Sequence, residues 1–327
     1  MNKPLLVILG PTASGKTRLG VALARHLRQT TGIASEIISA DSRQLFRGMD
    51  IGTGKDLAEY GPIPYHLIDI CDPGHEFSVY EFQQRYHAAL AGIRGRGHLP
   101  LLVGGSGLYL DAVVRGYTLT PVPENPVLRQ ALSACSMADL EARLRRLRPR
   151  LHNHTDLDSR ARLVRAIEIA EGSVNHRSPR PDQTVQATIF GLRWERTVLR
   201  ARITRRLQER LEAGLLAEVE KLLATGLPSE RLAAYGLEYR FSCRYLQGEL
   251  TWDAFFQGLN RAIHQFAKRQ ETWFRHMERH GVVIHWLDAA ADPLAEAEQY
   301  LQDPEMVRRV DTIQALTGVT EHGTRLL

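Results

Sequence analysis

The stretch LLVILGPTASGKTRLG, from Leu5 to Gly20, decides the fold, because it reads as a strand, a loop and a helix in succession. An apolar run ends at Gly10, and the spacing Gly10-x4-Gly15-Lys16-Thr17 follows. Leu19, Leu23 and Leu27 then recur at i, i+4 and i+8, the period of a helix face. Gly10, Pro11, Thr12, Ala13, Ser14, Gly15, Lys16 and Thr17 thus form a phosphate-cradling loop. Backbone N–H groups at the start of a helix attract an anion, the Lys16 ammonium neutralises it, and the Thr17 hydroxyl suits Mg2+. A glycine-rich turn without a ligand is the bland alternative, and the flanking strand and helix weigh against it.

Five more short apolar runs have the same character: SEIISAD (35–41), YHLIDI (65–70), LPLLVGG (99–105), ATIFGL (187–192) and VVIHWLD (282–288). Near-continuous apolar runs of this length fit strands buried on both faces of a parallel sheet. Between the third and fourth runs of the six, Ser78 and Glu81 have the spacing of a capping box, which starts a helix. The expected fold class is therefore α/β, with a P-loop NTPase-like parallel sheet flanked by helices. The rhythm breaks at TLTPVPENPVLRQ, where Pro121, Pro123 and Pro126 read as a linker. Charged helical sequence follows, and then a polar stretch with Pro179 and Pro181. The domain expectation is a core of residues 1–119 and 185–310, a helical insertion at 120–184, and a polar, weakly held tail at 311–327.

The chain has 327 residues, 43% of them hydrophobic and 24% charged, enough for one large α/β domain with an insertion. Its net charge is +5, which permits a polyanionic partner without requiring one. The cations gather in blocks, at 143–150, 160–165, 199–210 and 268–279. Each alone reads equally as a solvated helix face, but four beside a phosphate loop favour nucleic acid. Cys71, Cys135 and Cys243 match no disulfide or metal spacing, and no segment approaches the length of a membrane span. A cytoplasmic protein is expected, with a monomer as the default.

Asp41, at the end of the second run, stands where open α/β sheets place functional groups. A helix cap or an outer contact to Mg2+ is an equal reading of that one residue. Arg43, Gln44 and Arg47 follow and supply groups able to read a base or a phosphate. In GGSGLYL (104–110), glycines permit close backbone approach and Ser106 offers a hydroxyl, although an ordinary strand-to-helix turn reads the same. Arg162 with Arg165, and Arg202 with Arg206, share helix faces and are read either as solvated or as lining an anion channel. His152 and His154 with Asp156 complete no metal-ligand set.

Taken together, GPTASGKT, ADSRQLFRGMDIGT, YHLIDI, GGSGLYL, RLVRAIEI and KRQETWFR occur in an order and at separations that resemble the tRNA dimethylallyltransferase (tRNA isopentenyltransferase) family in its bacterial form. The resemblance spans about 10 to 275. It implies transfer of a dimethylallyl group from dimethylallyl diphosphate to N6 of adenosine 37, beside the tRNA anticodon. The phosphate loop would then hold an allylic diphosphate, although by motif alone it reads as an ATP site. The resemblance implies Asp41 as the base on the amine, Ser106 near the reacting centre, and Arg206 on the diphosphate with Arg202 the lesser candidate. Mg2+ at Thr17 is the implied cofactor and the anticodon stem-loop the implied partner, gripped partly by the insertion. Implied tRNA contacts are Asp41, Ser42, Arg43, Gln44, Ser106, Arg129, Ala161, Arg162, Leu163, Val164 and Arg165.

The chain departs from the family pattern at four places. Ser106 replaces Thr, Gly107 stands where a larger residue is common and bears on the fit of the prenyl tail, and Ala161 replaces a Gln. YGLEYR (235–240) stands in place of a Gly-Tyr-Arg/Lys-Gln-like segment, and no role is assigned to it. Three other readings remain: a prenyltransferase acting on free adenylate, a small-molecule kinase on the same loop, and an RNA-binding protein without activity. The basic insertion disfavours the first, because a free nucleotide needs no extended cationic surface. The segment from Asp41 to Gln44 with the arginine-rich helices disfavours the second, and intact Lys16, Thr17 and Asp41 the third.

Overall fold

Each of the six apolar runs contributes a strand in the computed structural model: Leu5–Leu9 (β1), Ser35–Ala40 (β2), Tyr65–His66 (β3), Leu99–Gly104 (β4), Ala187–Arg193 (β5) and His285–Asp288 (β6). They pair in parallel throughout, in the order β3-β2-β4-β1-β5-β6. The structure describes residues 4–119, 121–148, 157, 159–172 and 186–302. By contacts the chain forms two compact units, Met1–Arg115 with Thr184–Leu327, and Gly116–Gln183.

Alternation along the strands explains why both sheet faces are apolar. Leu5, Val7 and Leu9 enter one core cluster, while Leu6 and Ile8 enter the other. Helix Lys16–Thr31 (α1) adds Leu19, Val21 and Leu23 to the second cluster, and helix Val79–Gly95 (α2) adds Phe82, Tyr86 and Leu90 to the first. Each fully buried leucine contributes roughly 2 kcal/mol. A third cluster joins helix Arg196–Glu212 (α7) to helix Trp252–Arg279 (α11), with Leu199, Ile203 and Leu207 against Phe255, Leu259 and Ile263. Leu199, Ile203 and Leu207 recur every four residues and so form one face of α7.

Two local expectations need correction. The YHLIDI run pairs only at Tyr65 and His66, because Leu67 and Asp69 take left-handed backbone angles, φ 63° and 55°, that no strand accommodates. In the proline-rich linker, Pro126 opens a helix, Pro126–Leu132. Its missing N–H falls in the first turn, where no intrahelical partner exists, and the Asn125 side chain accepts from Leu128 N to cap it. Ser78 caps α2 as expected, accepting from Glu81 N at 3.1 Å.

The 116–183 unit has its own core, built from Leu132, from Leu140 and Leu144 of helix Met137–Leu147, and from Leu163, Ile167 and Ala170 of helix Arg160–Gly172. The stretch 152–156, Pro179, Pro181 and the tail from 311 lie outside the described residues. No described helix is long and apolar enough to cross a membrane.

On β2, the buried Glu36 accepts from Arg96 at 2.7 and 2.8 Å and pairs with His66 and His98 at 2.6 and 2.7 Å. The Arg96 guanidinium foremost, with the two imidazoles, outweighs burial and holds the Glu36 carboxyl at about 2 against an ordinary 4.5. Below 4.5 the unfolded chain therefore binds a proton that the folded chain refuses. The stability contributed by Glu36 is complete above that pH and is lost as the pH falls toward 2. Glu36→Gln is expected to flatten the acid limb of stability, measured by urea unfolding across that range. An unchanged limb would remove Glu36 as its source.

Candidate active site

Register brings the strand ends together. Gly104 is the partner of Leu9 on one side and of Ala40 on the other, so the loops after β1, β2 and β4 open into one crevice. There they border a cavity of about 560 Å³ lined by Thr12, Ala13, Gly15, Lys16 and Thr17, together with Asp41, Ser42, Arg43, Gln44 and Ser106. Gly10, Pro11 and Ser14 complete the loop without lining the cavity. Gly15 precedes α1 at φ +91°, a left-handed conformation that only glycine adopts cheaply, and it lets the loop turn into the helix.

The loop is braced from outside. Trp194 Nε1 donates to the Ser14 carbonyl at 2.9 Å, and Arg202 Nε donates to the Ala13 carbonyl at 3.0 Å while its guanidinium lies over the Trp194 ring. Gln270, on α11, accepts from Thr12 N at 2.8 Å and donates to the Gly105 carbonyl at 2.8 Å. It thereby ties the phosphate loop to the loop that carries Ser106. The Lys16 ammonium sits within 3.4 Å of the Pro11 carbonyl. Burial lowers its pKa to about 8, with Arg206 and Arg210 adding to the effect and Asp41 opposing it.

Asp41 Oδ1 accepts from Arg43 N at 2.9 Å. The Ser106 hydroxyl accepts from Ser42 N at 2.9 Å and lies 3.2 Å from the Ser42 hydroxyl. A carboxylate and two hydroxyls thus face the cavity together. Gln44 is otherwise committed: its Oε1 accepts from Ser39 and its Nε2 donates to the Gly54 carbonyl, so its amide braces the wall. Arg47, read from sequence as able to meet a base or phosphate, is exposed and paired with Asp72 at 2.7 Å. Thr17 and Tyr60 both line the cavity, and burial foremost, then nearby Asp41, pushes the Tyr60 phenol up.

Arg202, Arg205, Arg206 and Arg210 of α7 line the opposite side. Arg206 pairs with Asp56, and Arg210 with Glu238 at 3.3 Å. Arg210 was not singled out in the sequence, although it continues the four-residue spacing of Arg202 and Arg206. Glu59 and Tyr60 also line the cavity without a local signal, and burial with neighbouring Asp56 raises the Glu59 carboxyl above its ordinary range. Gly107 is explained by packing: a Cβ there would lie 2.3 Å from Trp273 Cγ, so the indole of α11 occupies the space a larger residue would take.

The remaining predicted contacts lie in the 116–183 unit. Glu168, buried there, accepts from Arg129 at 2.8 and 3.0 Å, from Arg165 at 3.0 Å and from Asn125 N at 2.9 Å. Burial alone would raise its carboxyl, but these partners hold it at about 2. Ala161 and Arg162 are exposed, Val164 is half-buried, and Leu163 is a core residue, so its side chain presents nothing to a ligand.

A model describing IPP transferase matches residues 44–277. A tRNA dimethylallyltransferase 2 of Syntrophotalea carbinolica is 63% identical over 295 residues, covering 90% of this chain and 97% of the relative. A tRNA dimethylallyltransferase 1 of Geotalea uraniireducens is 60% identical, covering 92% and 98%. The crystal structure of a full-length tRNA isopentenylpyrophosphate transferase from Bacillus halodurans superposes with a TM-score of 0.69 at 31% identity, covering 96% of this chain and 99% of that one. Matched in sequence and in fold along nine-tenths of its length, the chain belongs to the IPP transferase family.

Proposed function

We propose that the chain transfers a dimethylallyl group from dimethylallyl diphosphate to N6 of adenosine 37 in the anticodon stem-loop of tRNA, releasing diphosphate. The observation that carries this reading is the meeting, in one cavity, of an anion-holding loop and arginines with the Asp41 carboxylate beside two hydroxyls. The names of its relatives identify the same reaction class.

An adenine amine is a weak nucleophile because its lone pair is delocalised into the ring. Asp41 orients N6 and takes the proton it loses as the N6–carbon bond forms and the carbon–oxygen bond to diphosphate breaks. The diphosphate leaves with the bonding electron pair. Lys16, the loop amides and Arg206 hold that developing charge. Ser42 and Ser106 fix the approach of the base through their hydroxyls. The Thr17 hydroxyl, a hard oxygen donor at the end of the loop, is the group that would hold Mg2+. When bound, Mg2+ would neutralise charge on the diphosphate.

Arg129, Ala161, Arg162 and Arg165 are proposed to meet the RNA backbone. Arg162→Ala is expected to weaken stem-loop binding and to reduce the slope of log affinity against log salt by about one. An unchanged slope would place that side chain outside the RNA interface. We assign the enzyme to the cytoplasm as a monomer, a reducing setting that suits Cys71, Cys135 and Cys243, all free thiols.

The deciding experiment incubates the protein and Mg2+ with dimethylallyl diphosphate and either an unmodified anticodon stem-loop or AMP, followed by mass spectrometry. A five-carbon adduct on the stem-loop alone is expected. An adduct on AMP would move the chain to the free-nucleotide class, and ATP consumption without prenylation would make it a kinase.

A further inference from the structure

Behind the cavity wall, one carboxylate gathers an unusual set of donors. Glu218, on helix Leu215–Ala224, accepts from the backbone N–H groups of Asp50, Ile51 and Gly52 at 2.8, 2.7 and 3.0 Å, and from the Tyr239 hydroxyl at 2.8 Å. Three consecutive N–H groups converging on one carboxylate form a concave nest, a backbone shape that binds anions. Here the anion belongs to the chain itself.

The nest shapes the wall of the active-site cavity. Residues 50–54 all line it, whereas Glu218 and Tyr239 do not. The carbonyls of that turn reach the arginines on the far side: Arg210 lies 3.5 Å from the Gly52 carbonyl and Arg206 3.5 Å from the Gly54 carbonyl. The Tyr239 ring fills the space beside Gly52, where a Cβ would come within 2.6 Å of it. Lys55, 1% exposed, anchors the end of the turn through the Phe46 carbonyl at 2.7 Å, Asp50 at 2.6 Å and Asp69. The turn is thus held from behind by Glu218 and Tyr239 and at its end by Lys55.

We infer that Glu218, through the nest at residues 50–52, is a positioning residue that sets Arg206 and Arg210 for the departing diphosphate. Tyr239, from the YGLEYR segment, assists it by fixing the carboxylate. The inference rests on the proposed prenyl transfer, because it assigns these arginines to the donor's diphosphate. The carboxylate matters because its two oxygens divide the donors: a neutral amide in its place keeps one oxygen for Asp50 N and Ile51 N but turns an NH2 toward Gly52 N, which leaves that nest donor without an acceptor.

The test compares the wild-type protein with Glu218→Gln and Tyr239→Phe. It measures KM for dimethylallyl diphosphate, kcat, stem-loop affinity by filter binding, and Tm. Glu218→Gln is expected to raise the donor KM roughly tenfold, the scale of one lost charge-assisted hydrogen bond, with RNA affinity unchanged within about twofold. Tyr239→Phe, which keeps the ring in place, is expected to raise it about threefold. A folded Glu218→Gln protein with an unchanged donor KM would overturn the inference, and so would an equal loss of RNA affinity. If Glu218→Gln does not fold, Tyr239→Phe decides by the same readouts. A wild-type protein that does not prenylate the stem-loop would instead remove the functional reading itself.

Discussion

Asp41→Asn is expected to lower prenyl transfer roughly 1,000-fold, in the middle of the range that a positioned general base contributes, with stem-loop affinity staying close to that of the wild type. The substitution isolates the chemistry. An amide oxygen still accepts from Arg43 N, so the turn after β2 keeps the hydrogen bond that Asp41 Oδ1 now makes. Under the proposed mechanism, what is lost is the ability to take a proton from N6 as the new bond forms. Asp41→Ala removes both roles and falls at least as far. Single-turnover transfer to a stem-loop, with binding followed separately, is the measurement. Near-normal turnover by the asparagine variant would remove Asp41 as the base.

Lys16→Ala carries the second large effect, a loss of roughly 100- to 1,000-fold in kcat/KM for the donor, the range seen when one stabilising donor is withdrawn from a developing anion. The pH profile gives the finer signature. Burial foremost, then the repulsion of Arg206 and Arg210, places the Lys16 pKa at about 8 in the unliganded chain despite Asp41. The ammonium is therefore present below that pH and is lost above it, so kcat/KM for the donor falls as pH rises through about 8. Lys16→Ala abolishes that limb. A limb that survives the substitution would have to come from another group.

The phosphate loop was legible because its chemistry is contiguous. Spacing, the strand before it and the helix after it all lie within Leu5–Thr31, and the turn at Gly15 follows from the residue itself. Asp41 and Ser106 were legible for a related reason, since a residue directly after a buried parallel strand lies at the carboxyl edge of the sheet. What only the fold reveals shares an opposite cause. Gln44 was read as a group for substrate, but Ser39 and Gly54 take up its amide once the chain folds. Leu163 entered as part of a contact segment, yet the helix period turns it into the core of the insertion. The YHLIDI strand ends early because Asp69 turns back to meet Lys55, a buried cation whose partners no local pattern reveals.

By itself the sequence determined the six parallel strands, the phosphate loop and the acidic strand end, because local side-chain periodicity and backbone preference act over a few residues. Only the tertiary structure decided how these pieces are held. Gln270 bridges to Thr12 across 258 positions, and Glu218 reaches Gly52 across 166. Trp273 takes the space left at Gly107 from a helix that comes much later in the chain. Such contacts depend on where helices dock on the sheet. Docking is set by the summed burial of many apolar side chains, and no single residue in the sequence carries its signature.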